Sequence, residues 1–388
     1  MPRESGALAA LRRRHRQQIL EIVRERGTTS RAEISKRTGL STTTVSTLVG
    51  HLLDEEVIAE LPLDAGHSNG GRPARLLSLN PAGGGAAGVH LAHDTVRVAV
   101  TDLSGAIVAE SVRALDVDHE PAATLDFVGE EVLRLARSAD LAADRLLAIG
   151  VAVSAPVSSA THAVDSEVIL ADWRRVDLAG ELQRRTGLAV EVGNDANLGA
   201  LAEHRSGAAR HVDDVVYVMV SDGIGAGIIL DGRLYQGSHG GAGELGHVTV
   251  VPGGFMCRCG NRGCLETVAN ANALTTALTL THGTSTTLAD VLAADAAGDD
   301  RAGRVMADAG TAIGRALTPL CTVLDPAVVV LGGECSASRT LVDAVGSALA
   351  QGTTQLRRRA VPVRRGTLGQ RAELLGAIAL VTQHAHLG

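Results

Sequence analysis

GVHLAHDTVRVAVTDLSG, residues 88–105, opens as a strand, breaks at the turn Ala92-His93-Asp94-Thr95, and resumes as a second strand. Ser104-Gly105 turns the chain again, so strands at about 88–92, 96–101 and 106–113 form a meander. A helix at roughly 121–138 follows, and then LLAIGVAV (146–153), an apolar run that reads as a buried strand. The pattern continues as helix 177–187, strand 188–192 and helix 195–206. DVVYVMV (214–220) and GAGIILDG (225–232) then start a second meander. A glycine- and cysteine-rich segment comes next. The chain is helical from there to AVVVLGG (327–333), a buried strand opening onto glycines, and a last helix spans about 370–385. Two meander-plus-helix units, near 88 and near 214, predict an internally duplicated α/β fold.

The first 80 residues follow another pattern. Residues 7–26 carry Leu8, Leu11, Ile19, Leu20 and Val23 among Arg and Gln, an amphipathic helix ended by Gly27. RAEISKRT (31–38) is a second short helix with Ala32 and Ile34 inward, and Gly39 allows a tight turn. Ser41 caps a third helix whose stripe is Val45, Leu48, Leu52 and Leu53. VIAEL (57–61) and ARLLSL (74–79) read as the two strands of a hairpin. Helix, turn, helix and hairpin together spell a winged helix-turn-helix. NPAGGG (80–85) reads as a flexible boundary to the α/β body.

Composition narrows the function. A chain of 388 residues holds two or three domains. Aromatics are 1% of it, so the cores are built from Ala, Val, Leu and Ile. Net charge is −7, which by itself argues against nucleic acid, yet the charge is uneven. Residues 1–80 hold 12 Lys+Arg against 9 Asp+Glu, and the remainder 24 against 34. A basic N-terminal piece on an acidic body is the footprint of a nucleic-acid module. There is no apolar run of about 20 residues to span a membrane and no signal-peptide pattern. The expected location is cytoplasmic.

In the DNA-reading arrangement, helix 42–53 enters the major groove with Ser41, Thr42, Thr43, Thr44, Ser46 and Thr47 at its N-terminal end. Arg31, Lys36 and Arg37 are expected on phosphates. The wing tip GGRPAR (70–75) supplies Arg72 and Arg75, with Arg72 suited to a narrow minor groove. The partner is a double-stranded DNA operator, read by a homodimer or homotetramer on paired half-sites.

Three of the five cysteines fall within residues 257–264. His247, Cys257, Cys259 and Cys264 make a set of one imidazole and three thiolates, a common tetrahedral zinc set. With no open fourth position, one structural Zn2+ per chain is expected. Upstream, GGAGELGH (240–247) puts Glu244 and His247 in one glycine-lined turn. VGNDANLGA (192–200) ends a strand with Asn194 and Asp195 at the start of a helix, where α/β proteins bind ligands. An Asp there either accepts a proton from a ligand hydroxyl or simply caps the helix.

Together, GNDAN, GIGAGIILDGRLYQGSHGGAGELGH, CRCGNRGCLE and VVVLGG, in this order, resemble the ROK family of repressors, open reading frames and sugar kinases. The resemblance spans nearly the whole chain, and the N-terminal winged helix resembles the repressor branch. It implies a two-lobed actin-like ATPase (ribonuclease H-like) fold behind the DNA-binding domain. The implied division is 1–80 for the DNA module, 81–194 plus about 374–388 for the first lobe, and 195–373 for the second. It also implies sugar contacts from Asn194, Asp195, Glu244, His247 and Glu266, with His247 using one ring nitrogen on zinc and the other on the sugar. In the family's kinases the residue matching Asp195 is the catalytic base.

Two departures matter. The family's first phosphate loop is approximately D-x-G-G-T, where this chain has His90-Leu91-Ala92-His93-Asp94-Thr95. The second, G-T-G-I-G, is here Ser221-Asp222-Gly223-Ile224-Gly225. Side chains and two acids replace bare or hydroxyl-bearing backbone, and phosphoryl transfer rests on positioning and charge stabilisation. The expectation is a sugar-responsive transcriptional regulator, a repressor, with no catalysis and no ATP bound. The alternatives are a kinase with an appended DNA module, with Asp195 as base, and a regulator that reads a protein or a phosphosugar.

Overall fold

The computed structural model describes residues 6–61, 75–353 and 360–384. The N-terminal module is α1 (Gly6–Arg26), α2 (Arg31–Thr38), α3 (Thr42–Asp54) and the antiparallel pair β1 (Ile58–Leu61) and β2 (Leu76–Leu79). Ser30 and Ser41 cap α2 and α3 by accepting from the Glu33 and Thr44 amides. Ile19, Val23, Ile34, Val45, Val49 and Leu52 close its core. Ala32 is exposed, contrary to the inward placement expected. Two residues turn a helix by about 200°, so Ala32 and the buried Ile34 cannot share a face.

The body starts with β3 (Gly85–Leu91), β4 (Thr95–Asp102), β5 (Ile107–Ala114), α4 (Pro121–Ser138), β6 (Leu146–Val153), α5 (Leu178–Thr186), β7 (Val190–Asn194) and α6 (Asp195–Ser206). The second half is β8 (Val215–Val220), β9 (Ile224–Leu230), β10 (Arg233–Tyr235), α7 (Glu266–Ala269), α8 (Ala271–His282), α9 (Leu288–Ala296), α10 (Asp300–Leu324), β11 (Val328–Gly332), α11 (Arg339–Thr353), β12 (Val363–Arg365) and α12 (Ala372–His384). The sheet orders are β5-β4-β3-β6-β7 and β10-β9-β8-β11-β12. Each is an antiparallel meander followed by two parallel strands, so one topology is used twice.

Separate aliphatic cores serve the two sheets. Between them α6 and α12 cross in close contact. A Cβ on Gly376 would stand 1.9 Å from the Leu198 carbonyl oxygen, so only glycine permits this approach. The crossing puts the N-terminal ends of both helices beside the C-terminal ends of the strands, where the cleft opens.

The boundary at 80–85 is packed rather than flexible. Residues 81–83 form a single 3-10 turn. The Asn80 side-chain amide donates to the Glu56 carbonyl at 2.8 Å. A Cβ on Gly83 would meet that same oxygen at 2.1 Å. Leu103 and Leu147 of the body complete the core of the DNA module, and Arg145 pairs with Glu56 at 2.8 Å. Glycine here buys close approach, where composition alone suggested a hinge. Among the described residues, no helix is long and apolar enough to cross a membrane.

Candidate functional site

A cavity of about 230 Å3 lies in the cleft between the sheets, and the residues named above for sugar contact line it. β7 ends at Asn194, whose Oδ1 accepts from the Asn197 amide at 3.1 Å and so caps α6. Its Nδ2 donates to the Ala155 carbonyl and to Asp195 Oδ1. The capping duty therefore falls to Asn194. Asp195 Oδ1 accepts from the Ala196 amide at 2.7 Å. Asp195 is 3% exposed, and burial pushes its carboxyl above the ordinary range against the pull of the Ser154 hydroxyl and the Ala196 amide.

Across the cavity, Gly243 receives the Ala226 amide on its carbonyl, and a 3-10 turn over 245–247 presents Glu244 and His247 together. Glu244 Oε2 lies 3.8 Å from His247 Nε2. Partial burial raises the Glu244 carboxyl, His247 opposes this, and Asp195 and Glu266 add to it. Glu266 opens α7, is 7% exposed, and accepts from the Ile224 amide at 3.3 Å. Three carboxylates thus converge on one small volume. They suit a ligand dense in hydroxyl donors and repel an anion.

His247 faces both ways. Its Nδ1 lies 3.5 Å from Cys257 Sγ, while Nε2 faces Glu244. The ligand atoms of His247, Cys257, Cys259 and Cys264 all lie within 4.8 Å of one another. Burial pushes the Cys257 thiol up and Cys264 to about 12. A bound cation supplies the opposite pull and holds thiols as thiolates. Two borderline-soft ligand types in this number could hold a metal ion of the zinc class.

The other end of the cavity is acidic. Ala92-His93-Asp94-Thr95 is held by the Val117 and Leu115 amides, which donate to the carbonyls of His93 and Asp94. His93 Nδ1 sits 2.8 Å from Asp118, and Thr95 donates to Asp94 Oδ1. Asp222 and Glu334 line the same cavity from the second lobe. Burial, then Asp222 and Asp94, raise the Glu334 carboxyl. Arg97 is the cation there, and it pairs with Glu110 at 3.2 Å.

Sequence reading missed four participants. Arg258, between two of the cysteines, pairs with Glu266 at 3.1 Å. Ser154 lines the cavity with Asp195, and its hydroxyl works against the upward push on that carboxyl. Glu334 joins the acidic end. Glu373, 4% exposed at the start of α12, lines the cavity and accepts from the Tyr217 hydroxyl at 3.2 Å. A lone acid heading the apolar run ELLGAIALV was the only signal of Glu373.

On the DNA module, Thr42, Thr43, Ser46 and Thr47 are exposed at the head of α3, and Thr44 is half-buried. The Ser41 hydroxyl caps the helix and lies 2.8 Å from that of Thr44. Lys36 and Arg37 are exposed on α2, with Arg37 donating to Glu33 at 3.0 Å. Arg31 and Arg75 both bind the Glu60 carboxylate. Arg72 lies outside the described residues.

The body and the DNA module each match known proteins. The ROK family pattern covers residues 86–384, and a winged helix-turn-helix DNA-binding pattern covers 12–59. The chain belongs to the ROK family. It is 29% identical over 370 residues to a xylose repressor of Bacillus subtilis, covering 94% of each chain. A crystal structure of a ROK family transcriptional regulator, a homolog of the E. coli MLC protein, matches with a TM-score of 0.78 and 27% identity over 97% of both chains. A ROK hexokinase from Thermus thermophilus is 31% identical with a TM-score of 0.65, covering 78% of this chain and 100% of its own. The ROK body is thus shared with kinases, while the DNA module has its counterpart in the regulators.

Proposed function

We propose that the chain is a sugar-responsive transcriptional repressor of carbohydrate genes, and that its ROK body serves as an effector sensor without phosphoryl transfer. The observation that carries this reading is the cleft's division. One end is lined by Asn194, Asp195, Glu244, His247 and Glu266, which we assign to sugar hydroxyls, and the other by Asp94 and Asp222, from the two turns that resemble the family's phosphate loops, with Glu334 beside them. Anions there would meet negative charge, and the Ala92-His93-Asp94-Thr95 turn offers side chains where a glycine turn would offer bare amides, although Gly223, Gly225 and Gly333 stay in the lining. Alignment with a repressor over 94% of both chains supports the regulatory half. We assign one structural Zn2+ to His247, Cys257, Cys259 and Cys264, bracing His247 for the ligand. The domain division is 1–80, 81–194 with 374–388, and 195–373. The exposed hydroxyls of α3, with Arg31, Lys36, Arg37, Arg72 and Arg75, meet an operator as a dimer or tetramer.

The test is calorimetric titration with a panel of neutral sugars, followed by operator gel shifts with and without the sugar that binds. A sugar that binds but leaves operator affinity unchanged would sink the regulatory reading. The kinase reading is favoured by one observation, the buried Asp195 at the family's base position. Sugar-dependent ADP release that is abolished by Asp195→Asn would establish it.

A further inference from the structure

A second space of about 590 Å3, open to solvent, lies between the Cys257–Cys264 loop and α8. Arg258 and Glu266 line both cavities. The 3.1 Å ion pair between them therefore borders both spaces, in the position of a partition. Glu266 is held from its other oxygen by the Ile224 amide. Arg258 is the movable half, a long side chain on a loop with 37% of it exposed.

The second cavity has a distinct chemistry. Phe255, Met256 and Leu280 stand 77%, 59% and 80% exposed around it. Phe255 is one of only two phenylalanines in the chain. Asn272 and Thr276 on α8 also line it, and their side chains make no intramolecular hydrogen bond among the described residues. The charged residues in its lining are Arg258 and Glu266, and Cys257, which also lines it, belongs to the thiol-imidazole cluster. An aromatic and aliphatic platform flanked by unused amide and hydroxyl groups accepts an uncharged ring, with apolar faces on Phe255 and hydroxyls toward Asn272 and Thr276. It offers a phosphate nothing beyond an arginine already neutralised.

We propose that this cavity is a subsite for a second, neutral unit glycosidically linked to the sugar in the cleft, with Arg258 as the gate between the two. The proposal rests on the sugar-effector reading above. A ligand whose ring hydroxyls engage Glu266 carries its substituent toward the partition. Displacing Arg258 from Glu266 opens the way into the second cavity. The effector class is then a disaccharide or an alkyl or aryl glycoside, and the free monosaccharide is the weaker ligand because it leaves the outer platform wet.

The experiment is calorimetric titration of the full chain with neutral monosaccharides and with disaccharides and methyl and phenyl glycosides of each. The expected result is a monosaccharide that binds and a glycoside of it that binds about tenfold tighter or more. Thr276→Trp, which fills the cavity from an exposed helix position, removes that gain and leaves monosaccharide affinity unchanged. Phe255→Ala, a truncation of an exposed side chain, is the second variant and reduces the same gain. If monosaccharides bind but no glycoside binds tighter, or the gain survives both variants, the subsite is overturned and the effector reading stands. If no sugar of either kind binds, both fall. If glycosides gain nothing and both variants instead dissociate an oligomer in sedimentation, the cavity belongs to an interface between copies and the subsite is overturned.

Discussion

Asp195 buries a carboxyl one residue after Asn194, the residue that caps the helix. On the proposed sugar-sensing reading it accepts from a ligand hydroxyl, so Asp195→Asn is expected to weaken sugar binding roughly 10- to 100-fold, the worth of a hydrogen bond to a charged group. Folding stability should hold or rise slightly, because burial disfavours the charge. Titration calorimetry beside urea unfolding checks both, and an unchanged sugar affinity would remove Asp195 from the site. Glu373 gives a pH signature. Burial, with Asp195 and Glu203 nearby, raises its carboxyl to about 7. The folded state then holds a proton that the unfolded chain releases near the ordinary value, so this group's contribution is full below about pH 4.5. It is lost as pH rises through about 7, by up to roughly 3 kcal/mol. Glu373→Gln should be the more stable protein at pH 8 and show a flatter decline from pH 5, by urea unfolding at both pH values. Equal slopes would refute the buried-acid account. That Asp195, Glu244 and His247 lie in one cleft was legible because each sits in a local motif, and Glu266 entered only with the family resemblance. Glu373 and Arg258 were not, because their partners Tyr217 and Glu266 are set by packing.

At the scale of elements, the thiol loop and the helix-turn-helix were both readable from spacing. Cysteines two and five apart with a histidine ten residues before them leave few alternatives. Elemental analysis should find about one zinc per chain, and Cys264→Ser should lose it. The same variant should bind sugar more weakly, because Arg258 sits in that loop and His247 packs against its Cys257 and Cys264. Full sugar affinity in the zinc-free variant would separate the loop from the site. In the DNA module, charge pairing was invisible to a reading of cations alone. Glu60 holds Arg31 and Arg75 together at the base of the wing. Arg31→Ala should weaken operator binding about equally across sequences and lower the salt slope by about one. A slope that does not change would take Arg31 off the phosphates. β12 escaped the sequence reading altogether, since Val363–Arg365 is a strand only through its parallel pairing with β11.

For the whole molecule, the repeated meander announced the duplicated sheets, but nothing in it announced how tightly the parts are joined. The crossing of α6 and α12 depends on Gly376. Gly376→Val forces a side chain onto the Leu198 carbonyl and should cost roughly 1–3 kcal/mol or more. Because the two helix heads frame the cleft, sugar affinity should fall with it, and calorimetry beside denaturant unfolding reads both effects. Composition misread the 80–85 segment for a related reason: glycine serves equally for freedom and for contact, and only the neighbours decide. Here the neighbours are Glu56, Leu103 and Arg145.

That packed seam sets the kind of signal the molecule can send. β3 and β6 each begin at the seam, at Gly85 and Leu146, and end beside the cleft, at Leu91 and Val153. If the effector binds in the cleft as proposed, a lobe built on such strands would act as a lever, with the ligand at one end and the core of α3 packed on the other. Turning it alters the aim of α3 and leaves its chemistry alone. In a two-fold assembly, that changes the distance between two reading heads and not the bases each prefers. Operators with an added or deleted base pair between half-sites should then shift in their response to sugar, while substitutions within a half-site lower affinity to the same degree with sugar and without.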